Sequence, residues 1–220
     1  MRYADVNADR LWSRQVETDR IGATPAGGVH RMALTPEDIE SHRLIAAWAA
    51  AREFAVDLDE IGNMFVTRAG TDPSLLPVAA GSHTDSQPMA GRLDGMQGVL
   101  AAFEALEAID DAGISTRHPL CVPVWNNEEG PRFSPACMGS AVYAGVRRLD
   151  EVIGQRDSDG MALADCIRAL AEAIPDAGRR ELGAPFAAFL ESHIEQGIEL
   201  QTSGNVIGIV TGMQGYRRWM

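Results

Sequence analysis

The chain has 220 residues and a formal net charge of −12, from 31 acidic against 19 basic side chains. That acidic excess speaks against a nucleic-acid footprint, which needs a basic face, and against an anionic membrane surface. With 45% apolar and 23% charged residues, the composition is that of a folded domain able to bury a core.

The predicted elements follow in chain order. Asn7 to about Arg20 reads as a short helix anchored by Leu11 and Val16. A Gly/Pro-rich loop follows at Gly22–Gly28. Thr35-Pro36-Glu37-Asp38 is a helix start, with Thr as cap, Pro in the first turn and acids at the positive end of the dipole. That helix should run to about Phe54, with Ile39, Leu44, Ile45 and Trp48 inward and His42 structural or on the surface. Val56–Leu58 and Met64–Thr67 predict two short strands around Gly62-Asn63. Leu76–Gly81 is an apolar run that leads into Ser82-His83. Gly95 to about Ile109 predicts a buried helix, and Leu120–Trp125 a strand ending at Asn126-Asn127-Glu128-Glu129. Ala162–Ala173 is a further helix. Phe186–Leu190 is a third apolar run, ending at Glu191-Ser192-His193, and Val206–Val210 predicts a last strand. Strands alternating with helices imply an α/β fold with a central sheet flanked by helices.

Cys121, Cys137 and Cys166 form no CxxC pair, so neither a zinc ribbon nor a disulfide framework is indicated. A reducing cytoplasm is the matching compartment. The polar Met1–Arg10 stretch lacks the apolar core of a signal peptide.

Three apolar runs end in metal-capable side chains. The first gives His83 and Asp85, followed by Asp94; the second gives Glu128 and Glu129; the third gives His193, flanked by Glu191 and Glu195. In open α/β sheets ligands bind beyond the carboxyl ends of the strands, so three buried strands side by side would gather these groups. Mixed imidazole and carboxylate ligands suit Zn²⁺, and also Mn²⁺, Co²⁺ or Ni²⁺. Asp94, in Gly91-Arg-Leu-Asp-Gly95, sits in a turn that could let one carboxylate bridge two ions. One glutamate must stay off the metals to act as a base.

Together, Gly81-Ser-His-Thr-Asp-Ser86, Gly91–Gly95, Asn127-Glu-Glu-Gly-Pro-Arg-Phe133 and Glu191-Ser-His-Ile-Glu-Gln-Gly197 resemble the hydantoinase/carbamoylase branch of the M20 metallopeptidase-like superfamily. The resemblance runs from about Leu11 to the last residue. It implies a zinc-exopeptidase-like (phosphorylase/hydrolase-like) core with a mixed sheet, and a pair of divalent ions. His83, Asp94 and His193 would hold one ion, with Asp94 bridging, and Glu129 the other. Glu128 would be the general base, Asp85 a partner orienting His83, and Gln196 a substrate contact. Arg92 and Arg132 are expected in salt bridges rather than as a carboxylate clamp.

The implied activity is hydrolysis of a small N-carbamoyl amino acid or an allantoate-like substrate, with an M20 peptidase or aminoacylase as the alternative. A homodimer is expected. The resemblance places the catalytic domain at residues 1–212, with 213–220 as the start of a strand into a lid or dimerisation domain. The resemblance implies a histidine and other substrate contacts from that domain, and a distant C-terminal histidine that completes the second ion's site. The 220-residue chain is therefore expected to hold one ion by three ligands, the second poorly, and to turn over weakly or be an inactive remnant.

Overall fold

The computed structural model describes residues 4–212. The expected start of a lid strand at 213–220 lies outside these.

Asn7 opens α1 (Ala8–Thr18), its side chain accepting the Arg10 N–H. The buried positions of α1 are Gln15 and Thr18, whereas Val16 faces solvent. The predicted apolar anchor therefore gives way to polar contacts: Gln15 Nε2 donates to the Arg92 carbonyl at 3.1 Å. Helix α2 (Pro36–Ala50) begins at Thr35, whose hydroxyl caps the Asp38 N–H. Its buried side carries Asp38, Ser41 and His42 ahead of Ile45 and Ala49. The Asp38 carboxylate accepts the Leu34 N–H and the Thr84 hydroxyl, which ties this helix start to the segment after His83.

Strands β1 (Ala55–Leu58) and β2 (Met64–Arg68) pair antiparallel, as predicted. Strands β3 (Val78–Ala80) and β4 (Ser82–His83) lie on one line, both parallel to β5 (Leu120–Trp125). The break at Gly81 falls level with Pro123, which has no N–H for the ladder. Beyond α3 (Met96–Asp111), α4 (Met138–Tyr143), α5 (Leu149–Val152) and α6 (Leu163–Ala173) come β6 (Gly178–Arg179), β7 (Ala188–Leu190) and α7 (Glu199–Ser203). The mixed seven-stranded sheet has the order β6-β1-β2-β5-β3-β7, with β4 on β5. The main core, including Ile45, Met64, Val99, Phe103, Val122, Val124 and Leu163, joins the sheet to α2, α3 and α6.

Two expectations need correction. The third apolar run is at the sheet edge, not buried: Phe189 is 43% and Leu190 71% exposed. Val206–Val210 forms no strand and is exposed. A strand needs a neighbour for its N–H and C=O groups, and none of the described residues supplies one there. Among the described residues no helix is long and apolar enough to cross a membrane.

The turn after β1 is locked to the end of β5 through Asn63, which is fully buried. Its Oδ1 accepts the Asn126 N–H at 2.9 Å, and its Nδ2 donates to Asp59 Oδ2 at 2.8 Å and to the Gly139 carbonyl at 3.2 Å. Asn63→Ala is expected to cost about 2–3 kcal/mol, because it leaves buried partners unsatisfied; urea unfolding at constant m-value measures it.

Candidate metal centre

The parallel register of β4 and β5 sets His83 opposite Trp125, directly before the Asn126–Glu129 turn. His83 is 1% exposed. Its Nδ1 lies 2.9 Å from the Asp85 carbonyl. A carbonyl can only accept, so Nδ1 carries the proton and Nε2 faces the site. That Nε2 is buried without a hydrogen-bond partner. It stands 3.5 Å from Glu128 Oε2 and 4.0 Å from Asp94 Oδ1. His193 repeats the arrangement: Nδ1 donates to the Ile194 carbonyl at 2.9 Å, and Nε2 lies 3.1 Å from Asp94 Oδ1. Ligand atoms of His83, Asp94 and His193 all lie within 4.8 Å of one another.

Helix α3 brings these strand ends together. Gly95, ahead of its first residue, has φ +65°, and a Cβ there would lie 2.4 Å from the His83 ring. One turn on, a Cβ at Gly98 would lie 2.3 Å from the Ser192 carbonyl oxygen. The two glycines let the start of α3 fit between the first and third strand ends.

The glutamate turn is held from two sides. Asn127 is left-handed at φ 51°, a conformation asparagine tolerates better than most residues. The carbonyls of Asn126 and Asn127 accept the N–H groups of Gly139 and Met138 at the start of α4. From the other side, the buried Asp85 carboxylate accepts the Glu128 N–H on Oδ1 and the Glu129 N–H on Oδ2, each at 3.1 Å. Asp85 thus orients His83 chiefly through its carbonyl, since its carboxylate lies 3.5 Å from Nδ1 and binds the neighbouring turn instead.

The sequence-predicted residues therefore divide. His83, Asp94 and His193 converge, and Glu128 stands beside them. The Glu129 carboxylate lies outside that trio, bonded to Gln87 through the backbone N–H at 3.3 Å and Nε2 at 2.9 Å. Gln196 donates to Asp94 Oδ2 at 2.6 Å. Glu191 accepts the Ser82 hydroxyl, and Glu195 accepts two N–H groups of α7. Arg92 pairs with Asp19 at 3.3 Å and Arg132 with Asp157 at 2.9 Å, as expected. The sequence reading missed Gln87, and it missed Cys137, whose thiol donates to Glu128 Oε1 at 3.2 Å. Position was the available signal for Gln87, which lies between Asp85 and Asp94 in one loop.

Electrostatics follow the geometry. Burial alone would lower the His83 pKa, but Asp85 and Glu128 outweigh it and push it up to about 10. The Asp94 hydrogen bond raises His193 to about 9, and the same bond lowers Asp94. Burial raises Glu129, and burial with Glu128 alongside pushes the Cys137 thiol to about 12.

This is a mixed α/β fold with an imidazole–carboxylate cluster at the ends of parallel strands. The profile of peptidase family M20/M25/M40 matches residues 79–212, and the chain belongs to that family. It is 43% identical over 211 residues to an N-carbamoyl-L-amino-acid amidohydrolase of Rhizobium meliloti, covering 96% of this chain and 50% of the relative. It is 33% identical over 201 residues to the allantoate amidohydrolase of Escherichia coli K12, covering 90% and 48%. Among solved structures, a hydantoinase/carbamoylase family amidase from Burkholderia ambifaria superposes with TM-score 0.88 at 43% identity, covering 96% of this chain and 51% of that one. The chain spans about half the length of these relatives.

Two predictions arise here. Gly95→Ala drives a methyl group into the His83 ring, so the protein should stay folded by circular dichroism yet retain no metal after dialysis. Metal uptake should also strengthen with pH. Both histidines titrate above their ordinary value of 6.5, so an ion must displace their protons at neutral pH. Their contribution to metal-free stability is full below about 6.5 and lost as pH rises through about 9 and 10. Proton release on metal binding, read by calorimetry in buffers of different ionisation enthalpy, checks the sign.

Proposed function

We propose that this chain carries the metal-binding core of an amidohydrolase that cleaves the carbamoyl or ureido C–N bond of a small N-carbamoyl amino acid or an allantoate-like compound. The observation behind this reading is the buried, unpartnered His83 Nε2, aimed at Asp94 and Glu128 with His193 alongside. An orphaned imidazole nitrogen costs free energy unless something fills the site, and this donor set suits a divalent ion. The printed activities of the relatives favour carbamoyl and ureido substrates.

In this reading His83, Asp94 and His193 hold one ion, and Asp94 and Glu129 serve a second. Zinc fits the donors, with manganese, cobalt or nickel as alternatives. Bound ions supply polarisation of the scissile carbonyl and acidify a water. Glu128 would take the water proton in this reading. Its Oε2 faces the cluster, while Cys137 holds Oε1. Glu128 then returns the proton to the leaving nitrogen. The products are the free amine and a carbamate, which breaks down to CO₂ and ammonia. Gln196, now on Asp94, is near enough to the cluster to turn towards a substrate. A peptidase or aminoacylase would use the same groups, so substrate separates the two.

The test pairs metal content with a substrate panel. Ammonia from N-carbamoyl-L-amino acids or allantoate supports the proposal. Amino acids from dipeptides or N-acyl amino acids, without ammonia, would replace it by the peptidase reading. Glu128→Gln should keep the metal and lower kcat by roughly 10²–10⁴-fold; a variant as active as the parent removes Glu128 from its role.

A further inference from the structure

The geometry points to Gln87 as a positioning residue that presets the Glu129 carboxylate for the second ion. The inference rests on the two-ion reading above. Gln87 makes three hydrogen bonds to Glu129: its N–H reaches Oε1, and its Nε2 reaches Oε2 and also the Glu129 carbonyl at 3.0 Å. Asp85 fixes the Glu129 N–H. Main chain and carboxylate are therefore both held before any ion arrives.

Gln87 is itself held. The Ser86 hydroxyl donates to the Gln87 carbonyl at 2.9 Å, and Ser86 N–H donates to the Arg31 carbonyl at 2.8 Å. Arg31 is 1% exposed, and its guanidinium donates to the Thr84 carbonyl. Pro88 follows and restricts the Gln87 backbone to extended conformations. A side chain on such a support loses little freedom when it binds, which is how a supporting residue sharpens a metal ligand.

The residue type matters. Glu129 follows Glu128 in the turn that faces Asp94, so the site is already rich in carboxylates. A neutral amide can hold the carboxylate without adding charge. A carboxylate at position 87 would add repulsion, and an ammonium would compete with the ion. A carboxylate has about four lone-pair positions, so the two donors from Gln87 leave room for coordination.

The experiment titrates metal-stripped chain with Zn²⁺ by calorimetry, for the parent, Gln87→Leu and Gln87→Ala. The expected result is a tight first ion and a weaker second ion in the parent, an unchanged first affinity in the variants, and a second affinity about 10–100-fold below the parent's. Either variant is sufficient if the other fails to fold. Equal loss at both sites would show a general structural role and overturn the inference, as would an unchanged second affinity. A parent that binds one ion overturns the two-ion reading itself, and the role of Gln87 with it.

Discussion

A buried carboxylate needs hydrogen bonds to compensate for lost water, and Asp85 meets that need at the junction of two strands. At 1% exposure it takes the N–H groups of Glu128 and Glu129 on its two oxygens. Its own carbonyl takes the Nδ1 proton of His83. One residue therefore fixes the tautomer of a histidine on one strand line and the main-chain path of two glutamates on the next. Charge-assisted bonds to backbone N–H groups are among the stronger ones available to a protein. The rest of the site is built outward from this joint.

The sheet supplies the coarse placement that the joint refines. Parallel pairing of β3 with both β5 and β7 points three carboxyl ends the same way, and the start of α3 fits between the end of the β3–β4 line and the segment after β7. Register matters as much as direction, because a one-residue slip turns every side chain to the other face. His83 opposite Trp125 is the register that leaves Asn126 to Glu129 free to turn over the site. Asn63 and the start of α4 hold that turn from behind, so Glu128 rests on a rigid support rather than on a free loop.

Much of this was legible in the sequence. The Thr35-Pro36 helix start, the β1–β2 hairpin, β5 and α6 all follow from local signals that short-range physics decides. The convergence of His83, Asp94 and His193 was legible because three apolar runs each stopped at a metal-capable side chain. What could not be read depended on neighbours distant in sequence. Leu190 and Val206–Val210 are apolar, yet hydropathy cannot tell a central strand from an edge or a coil without a partner. Val16 looked like an anchor, but Gln15 and Thr18 are the buried positions, with the Gln15 amide on the Arg92 carbonyl and the Thr18 carbonyl on the Arg31 guanidinium. The direction of the Glu129 carboxylate was hidden for the same reason: it is set by Gln87, 42 positions away.

The remaining question is how so many acids can share one site before a cation arrives. Asp85, Asp94, Glu128 and Glu129 lie around two imidazoles, and four unscreened negative charges at this separation would repel strongly. Backbone N–H groups take up Asp85, and the Gln87 amide takes up Glu129. Asp94 and Glu128 are left facing the histidines, whose raised pKa values of about 10 and 9 keep them positively charged at neutral pH. Protons on the two rings thus offset part of the acidic charge that Asp94 and Glu128 bring to the cluster.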